Sequence, residues 1–227
     1  MSAASSVSFP SDGWPVPTPQ IFAGRFITLT PLNPDTDADE LFACSHEPGS
    51  IEAMWGLIAA GPFADAVAMR EWLRAQRALP DLIPFTVNDN ATGRRIGSIS
   101  IMRITPAHGV AELGFIWYEP AAQRTKANTE ANYLLLRHCF RELGYRRMEW
   151  KCNSENARSR AAALRLGYSF EGIFRQHMVI KGRNRDTAWF AMLDHEWPRI
   201  AAAMEHWLYE DDSQPLAARQ TDSRPEQ

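Results

Sequence analysis

Residues 110–152 read VAELGFIWYEPAAQRTKANTEANYLLLRHCFRELGYRRMEWKC, and this stretch decides the fold of the chain. Val110 to Tyr118 is typical of a strand, and Met148 to Cys152 alternate apolar and polar residues as a second strand does. Between them, apolar residues at helical spacing predict a helix from Thr129 to Leu143, which Gly144 ends. A strand, a helix and a strand in this order form a crossover, so the two strands run parallel and the connection is right-handed.

Strands and helices alternate on both sides of this crossover. The patterns predict strands over residues 25–31, 83–87, 95–104, 168–180 and 185–193, and helices over residues 35–46, 65–79, 157–166 and 197–209. The resulting order, β-α-α-β-β-β-α-β-α-β-β, predicts an α/β protein with a mixed sheet of about seven strands and helices on both faces.

Length and composition indicate one globular domain with a tail at each end. The chain has 227 residues, of which 45% are hydrophobic and 22% are charged, so neither a disordered chain nor a fibrous repeat fits. Residues 1–20 are rich in Ser, Ala and Pro, and residues 211–227 are polar, so both are predicted to be flexible. The domain is predicted at residues 21–195, followed by a helical segment at residues 196–210.

Several features bear on the location of the protein. The longest uncharged interior stretch, Ala53 to Ala64, has 12 residues and is interrupted by glycine and proline, so it is too short to span a bilayer. The N-terminus shows no secretory signal. Cys44, Cys139 and Cys152 are far apart, without the close spacing of a metal or redox pair. We therefore expect a cytoplasmic protein with no metal site and no membrane contact.

Charge is distributed unevenly along the chain. The net charge is −3, but residues 121–194 carry 14 Lys and Arg against 7 Asp and Glu. A local excess of positive charge suits a polyanionic small ligand. The negative total and the lack of a basic sheet motif interleaved with aromatic residues argue against a nucleic-acid partner.

Two polar segments begin helices directly after the two parallel strands. The first is the loop Gln123 to Thr129, where a helix N-terminus presents backbone N–H groups that can bind an anion. Arg124 and Lys126 add positive charge there, and Thr125 adds a hydroxyl donor, as Thr129 does. The alternative is an ordinary helix cap with two solvated cations.

The second polar segment is Asn153 to Ser159, before the helix predicted at residues 157–166. Asparagine and serine at such a position are commonly caps and nothing more. Two polar helix starts on adjacent parallel strands nevertheless favour a shared binding site.

Four segments of the second half together resemble the GCN5-related N-acetyltransferases (GNAT). These are the loop at residues 123–131, NARS at residues 156–159, LGYSFEG at residues 166–172 and KGRNRDT at residues 181–187. Within that family the chain is most similar to the ribosomal-protein N-terminal acetyltransferases. The resemblance covers about residues 21–195 and is specific from Glu112 to Asp194.

The resemblance implies transfer of an acetyl group from acetyl-CoA to an amine. In the family, a β-bulge splays the first parallel strand from its neighbour, and the pantetheine arm enters the gap as a pseudo-strand. Gly114 marks the matching place, and a glycine inside a strand is independently typical of a bulge or a close backbone approach. The implied pantetheine-binding residues are Phe115, Ile116 and Trp117.

The resemblance also implies the residues that bind the rest of the cofactor. The family's pyrophosphate loop has the pattern Gln/Arg-x-x-Gly-x-Gly/Ala, and here Lys126 and Asn128 replace both small residues. Arg124 and Lys126 would then substitute charge for close backbone approach. The implied cofactor-binding residues at the two helix starts are Gln123, Arg124, Thr125, Lys126, Ala127, Asn128, Thr129, Asn156 and Ser159.

Acetyl transfer needs a base for the attacking amine and an acid for the thiolate that leaves. Glu112, on the splayed strand, is the candidate base, acting through water; the alternative is a solvated strand carboxylate. Many family members use a tyrosine on the second helix as the acid, and this chain has Ala163 there. The resemblance therefore points to Ser159 as the acid.

Three functions stay open at this stage. The first is an acetyl-CoA-dependent N-acetyltransferase acting on a protein N-terminus by direct attack in a ternary complex. The second keeps this mechanism and takes a small amine such as a polyamine, an amino sugar or an antibiotic. The third is a catalytically silent, regulatory homologue that binds acyl-CoA. We expect a monomer or a homodimer, with acceptor specificity residing in residues 47–63 and 181–185.

Overall fold

A computed structural model describes residues 9–217, which contain eight strands and six α-helices. Residues 1–8 and 218–227, which the sequence analysis assigned to the two tails, lie outside the described residues. The strands are β1 (Phe22–Ala23), β2 (Ile27–Pro31), β3 (Leu82–Asp89), β4 (Arg95–Thr105), β5 (Val110–Tyr118), β6 (Arg147–Asn153), β7 (Ser169–Ile180) and β8 (Arg183–Leu193). The helices are α1 (Pro34–Ser45), α2 (Ile51–Trp55), α3 (Ala66–Arg77), α4 (Lys126–Arg137), α5 (Ala157–Arg165) and α6 (Trp197–Tyr209).

All eight strands form one mixed sheet in the order β1-β2-β3-β4-β5-β6-β8-β7. Strands β5 and β6 are parallel, as the crossover predicts, and the other neighbouring pairs described are antiparallel. The predicted α/β fold is confirmed. The strand beyond the predicted seven is β1, whose two residues are too few to show an alternating pattern.

Strands β5 and β6 separate after three paired residues. Their parallel pairing runs from Val110 with Arg147 to Glu112 with Glu149, and beyond this point β5 pairs with β4 alone. The register between β4 and β5 then shifts, which leaves Phe115 and Ile116 opposite a single residue of β4. The predicted bulge and splay are therefore confirmed.

The backbone at this bulge is tightly packed and locally strained. Phe115 has a φ of 48°, a left-handed conformation that side chains other than glycine rarely adopt. Nearby on β4, where Gly97 pairs with Tyr118, a Cβ on Gly97 would lie 2.3 Å from the carbonyl oxygen of Trp117. Glycine at position 97 thus permits the close approach of β4 to the bulged strand.

Helices cover both faces of the sheet, as predicted. Helices α4 and α6 pack against the face that carries Leu113, Met148 and Phe190, and these residues belong to the larger core. Helices α1 and α3 cover β3 and β4 on the opposite face, around the fully buried Trp55. On that same face, the half of the sheet formed by β5, β6 and β8 carries charged side chains instead.

Helix α4 begins three residues earlier than predicted. Thr125 is the N-cap, with an extended backbone, and its Oγ1 donates to the carbonyl of Ala122 at 2.7 Å. Lys126, Ala127 and Asn128 are therefore helical rather than part of the loop. Polar residues in a first helical turn do not show the apolar spacing on which the prediction rested.

The hairpin between β7 and β8 is tighter than predicted. Lys181 and Gly182 alone form the turn, with φ values of 50° and 72°. Two residues with positive φ form a two-residue hairpin turn of type I′, which favours glycine at one position. The turn lies beside α2, a short helix that the sequence analysis did not predict.

Part of the predicted N-terminal tail packs on the domain. The indole Nε1 of Trp14 donates to the carbonyl of Gly144 at 2.6 Å, and Gln20 contacts the ring of His138. At the other end, Trp197 of α6 stacks on Phe140. The domain boundaries at residues 21 and 195 stay predictions. Between residues 9 and 217, no helix has both the length and the apolar character needed to cross a bilayer.

Candidate active site at the strand splay

Glu112 is the last residue of β5 that pairs with β6, and only 5% of its surface is exposed. Its Oε2 lies 3.0 Å from Nζ of Lys151 and 3.1 Å from Nε of Arg103. These contacts are ion pairs that lack the alignment of hydrogen bonds. Glu112 is therefore a buried, paired carboxylate and not a solvated one.

The ion pairs of Glu112 continue across the sheet. Lys151 also contacts Glu149 at 2.6 Å, and Glu149 lies 2.8 Å from Arg147. The Arg147 guanidinium then holds both oxygens of Glu171, at 2.8 and 2.5 Å. Removing one partner of a buried pair commonly costs about 3–5 kcal/mol, because the other charge stays buried. This chain of charges therefore fixes the side chains beside the splay.

Burial raises the pKa of the Glu112 carboxyl above its ordinary value of 4.5, although Lys151 and Arg103 act in the opposite direction. A carboxylate with a raised pKa accepts a proton more readily than an exposed one does. General-base catalysis favours such a group, provided that it is ionised at the working pH. Glu112 combines this property with a position at the opening between the strands.

The bulged part of β5 has one free edge. Beyond Glu112, no strand within residues 9–217 pairs with β5 on the side of β6. The side chains of Phe115 and Trp117 pack against the helical layer of α1 to α3, where they contact Trp72 and Trp55. The backbone around Ile116 can therefore accept an extended ligand as an additional strand.

The start of α4 offers unpaired backbone donors. Thr125 makes no side-chain capping bond, whereas the side chains of Asn33, Asp65 and Asn156 cap α1, α3 and α5. Gln123 holds the preceding turn through a bond from Nε2 to the carbonyl of Tyr118. The first N–H groups of a helix have no intrahelical acceptor, so those at the start of α4 are suited to an anion.

The two cations at the start of α4 differ in their surroundings. Arg124 is exposed and has a φ of 62°. The Lys126 ammonium lies 3.0 Å from Asp212 and 3.3 Å from the carbonyl of Leu208, over the ring of Trp207. Lys126 therefore contacts the segment after α6, and to meet a phosphate its ammonium must leave Asp212.

A third cation, Arg165 at the end of α5, lies against the start of α4. Its Nη1 donates to Oγ1 of the buried Thr129 at 3.0 Å, and burial lowers the pKa of its guanidinium. Among the described residues, no carboxylate forms an ion pair with Arg165. The nearby hydroxyl of Tyr118 is buried and has no hydrogen-bond partner between residues 9 and 217.

Sequence analysis did not single out Arg165. The residue stands directly before the LGYSFEG segment, but periodicity does not reveal that the end of α5 meets the start of α4. Asn128, beside Thr129, is already occupied, because its Oδ1 and its carbonyl accept from Asn132.

Asn156 and Ser159 are placed together at the start of α5. The side chain of Asn156 accepts from the backbone N–H of Ser159 at 3.0 Å, as a helix cap does. The Ser159 hydroxyl accepts from Nε1 of Trp150 at 3.0 Å, so the hydroxyl can still act as a donor through its own hydrogen. Burial raises the pKa of the Cys152 thiol, and a hydrogen bond between this thiol and the Ser159 hydroxyl acts in the opposite direction.

Helix α2 connects the two segments predicted to determine acceptor specificity. Nζ of Lys181 in the β7–β8 turn donates to the carbonyl of Trp55 at 2.8 Å. Arg158 in the first turn of α5 donates to the carbonyl of Ala53. The segments at residues 47–63 and 181–185 therefore lie on one side of the splay and contact each other.

Comparison with known proteins agrees with this geometry. A family model described as an acetyltransferase (GNAT) domain matches residues 27–169. A solved GCN5-related N-acetyltransferase from Brucella melitensis is 42% identical, with a TM-score of 0.88 over 92% of this chain and 97% of that chain.

Two curated proteins are also similar. The ribosomal-protein-serine acetyltransferase of Escherichia coli is 31% identical over 98 residues, which are 43% of this chain and 54% of that protein. The chain thus matches about half the length of this relative. An uncharacterized N-acetyltransferase of Bacillus subtilis is 26% identical over 67% of this chain and 85% of its own length. The predicted resemblance is confirmed, and the chain belongs to the acetyltransferase (GNAT) family.

Proposed function

We propose that this protein is an acetyl-CoA-dependent N-acetyltransferase that acetylates a primary amine by direct attack in a ternary complex. The observation that carries the proposal is the splay of β5 from β6 at the buried carboxylate of Glu112. An unpaired strand edge, an uncapped helix start and a candidate base lie around this one opening.

The residues present fit the cofactor. The free edge around Phe115, Ile116 and Trp117 would hold the pantetheine arm through backbone hydrogen bonds. The start of α4 would hold the pyrophosphate through its N–H groups, with Arg124 and Arg165 supplying positive charge. When bound, acetyl-CoA supplies the carbonyl carbon that the amine attacks and the thiolate that leaves.

Glu112 would remove the proton of the acceptor amine, through a water molecule. An amine is a nucleophile only when it is neutral, so proton transfer to a carboxylate makes attack possible. Lys151 and Arg103 would hold Glu112 at the splay and favour its ionised form against the effect of burial. The nitrogen then gains a bond to carbon as the bond from carbon to sulfur breaks.

Ser159 would donate a proton to the sulfur as it leaves. The Trp150 indole fixes the Ser159 oxygen from one side, and the cap formed by Asn156 fixes its backbone. Ala163 is buried in the core and carries no acidic hydrogen, so Ser159 is the hydroxyl that the start of α5 offers.

The acceptor is a protein N-terminus or a small amine. The printed name of the Escherichia coli relative describes a ribosomal-protein substrate for that protein, which supports a protein N-terminus here. A cytoplasmic location and a monomeric or homodimeric state stay predictions.

Release of free CoA from acetyl-CoA tests the proposal. We expect release that depends on an added amine, measured over a panel of N-terminal peptides and small amines, with CoA binding measured separately by calorimetry. Binding of CoA without turnover of any amine would favour the catalytically silent homologue. Absence of CoA binding would contradict both functions.

A further inference from the structure

Arg185 on β8 is partly buried and has no carboxylate partner. Its Nε is shielded from solvent and makes no hydrogen bond within the described residues. None of the ion pairs found between residues 9 and 217 includes Arg185. Burial lowers the pKa of its guanidinium, but an arginine stays charged in proteins. A shielded cation of this kind calls for an anion from elsewhere.

Arg185 lies on the same face of the sheet as the candidate base. By strand alternation, Arg185 and Trp189 lie on the same face of β8, and the ammonium of Lys151 lies 3.9 Å from the Trp189 ring centre. Arg185 interacts electrostatically with Glu112, although the two do not form an ion pair. Arg185 and Glu112 therefore lie on one face of the sheet, with their charges close enough to interact.

The carboxylates around Arg185 are already neutralised. Glu112 contacts Arg103 and Lys151, and Glu149 contacts Arg147 and the same Lys151. The charged cluster on this face thus holds four cations and three carboxylates, namely Arg103, Arg147, Lys151 and Arg185 against Glu112, Glu149 and Glu171. Arg185 is the member left without a counter-ion.

The hairpin of β7 and β8, which carries Arg185, is also cationic at its turn and partly aromatic. Lys181 and Arg183 lie at the turn between β7 and β8, next to α2. The rings of Phe174 and Trp189 stack with their centres 4.5 Å apart. A positively charged acceptor that enters here would be repelled by Arg185 and Arg103.

We infer that the acceptor carries a carboxylate close to its amine, and that Arg185 binds this carboxylate while the amine lies at Glu112. The inference rests on the proposed function and names its substrate class. A guanidinium binds a carboxylate through two parallel hydrogen bonds, which gives orientation as well as affinity. A zwitterionic molecule can span Glu112 and Arg185, because these two groups lie on one face of the sheet without forming an ion pair.

This chemistry separates the acceptor classes that the sequence left open. A peptide with an acidic residue after its N-terminus and a free amino acid both carry the required carboxylate. Polyamines and amino sugars lack it and add positive charge, so the unpaired Arg185 disfavours them.

Matched acceptor pairs test the inference. In each pair the members differ only in a carboxylate: a peptide amide beginning Ser-Asp against one beginning Ser-Asn, and L-serine against L-serinamide. A polyamine, which carries no carboxylate, is tested as a further acceptor. With the wild-type protein we expect kcat/KM to be about 10- to 100-fold higher for the carboxylate member of a pair, the range of a charge-assisted hydrogen bond. A larger preference in the peptide pair would indicate an acidic peptide as the acceptor, and a larger preference in the serine pair would indicate a free amino acid.

Arg185→Gln should remove this preference by raising KM for the carboxylate member, with kcat and CoA affinity nearly unchanged. Arg185→Lys should keep part of the preference because it keeps the charge but not the paired hydrogen bonds. Arg175→Gln, on the neighbouring strand β7 and exposed, is the matched control and should keep the full preference. If Arg185→Gln does not fold, kcat/KM of the wild-type protein and of Arg185→Lys for the matched acceptors still tests the inference.

Equal use of both members by the wild-type protein would contradict the inference and leave the proposed function intact. Preferred acetylation of the polyamine would contradict it as well. Failure to acetylate any amine would instead contradict the proposed function. In that case, calorimetry with the N-acetylated Ser-Asp and Ser-Asn peptides still tests Arg185, because equal affinity for the two would overturn its role.

Discussion

Arg165 at the end of α5 donates a hydrogen bond from Nη1 to Oγ1 of Thr129, in the early part of α4, at 3.0 Å. This contact joins the two helices that begin after the two parallel strands. It brings a cation without a carboxylate partner to an uncapped helix start, where the proposed function places the pyrophosphate.

Changing Arg165 to Gln should therefore weaken CoA binding. We expect roughly a 10-fold higher Kd, since hydrogen bonds to charged groups contribute about 1.5–3 kcal/mol, and a smaller difference from wild type at high salt. Calorimetric titration with CoA at two salt concentrations measures this. Arg160→Gln is the control on the same helix, because Arg160 donates to the carbonyl of Ser154 instead. Equal Kd values for the Arg165 variant and wild type would remove Arg165 from the cofactor site.

Arg124 and Lys126 should contribute unequally to CoA affinity. Lys126 is engaged by Asp212, so Arg124→Ala should weaken binding more than Lys126→Ala does, and both effects should grow at low salt. Asp212→Asn should strengthen binding slightly because it frees the Lys126 ammonium. The measurement is Kd for CoA across a salt series. An Asp212→Asn variant that binds CoA as wild type does would show that Lys126 plays no part.

Glu112→Gln should lower turnover by about 10²–10⁴-fold without changing CoA affinity, because a positioned base contributes about that much. The rate of the wild-type protein should rise with pH as Glu112 ionises. Since burial raises the pKa of this carboxyl, the midpoint of the rise should lie above 4.5. The variant should lose this acidic limb of the pH profile.

Glu149→Gln serves as the control for the role of Glu112. Glu149 contacts the same Lys151, so its replacement disturbs the ion pairs but removes no base. We expect a lower melting temperature and a preserved acidic limb. A Glu112→Gln variant with wild-type turnover across pH 6–9 would leave Glu112 as a structural residue.

Ser159→Ala should lower the rate by more than any effect on stability explains. The substitution also leaves the Trp150 N–H without its acceptor, which costs about 1–3 kcal/mol when such a group is buried. Trp150→Phe breaks the same hydrogen bond but keeps the hydroxyl, so it is the matched control. We expect Trp150→Phe to keep most of the rate. Comparable turnover in the two variants would mean that Ser159 only supports the packing of α5.

The sequence determined the architecture because each of its signals is local. The apolar, strand-like run Val110–Tyr118 and the alternation within Arg147–Asn153, with helical spacing between them, sufficed for the crossover and hence for the parallel pair. The residues around Gly114 indicated where the strands separate, and the polar residues before α5 indicated a capped helix start. Each of these depends on neighbours within a few residues along the chain.

Only the tertiary structure decided the state of the side chains at the site. Lys151 and Arg103 flank Glu112 because β6 and β4 lie on either side of β5, and spacing along the chain does not encode such a cross-strand neighbourhood. The same holds for Arg165 at Thr129, for Lys126 turned toward Asp212, and for the unpaired Arg185. Burial and charge pairing result from contacts between distant segments, so they exist only once the chain has folded.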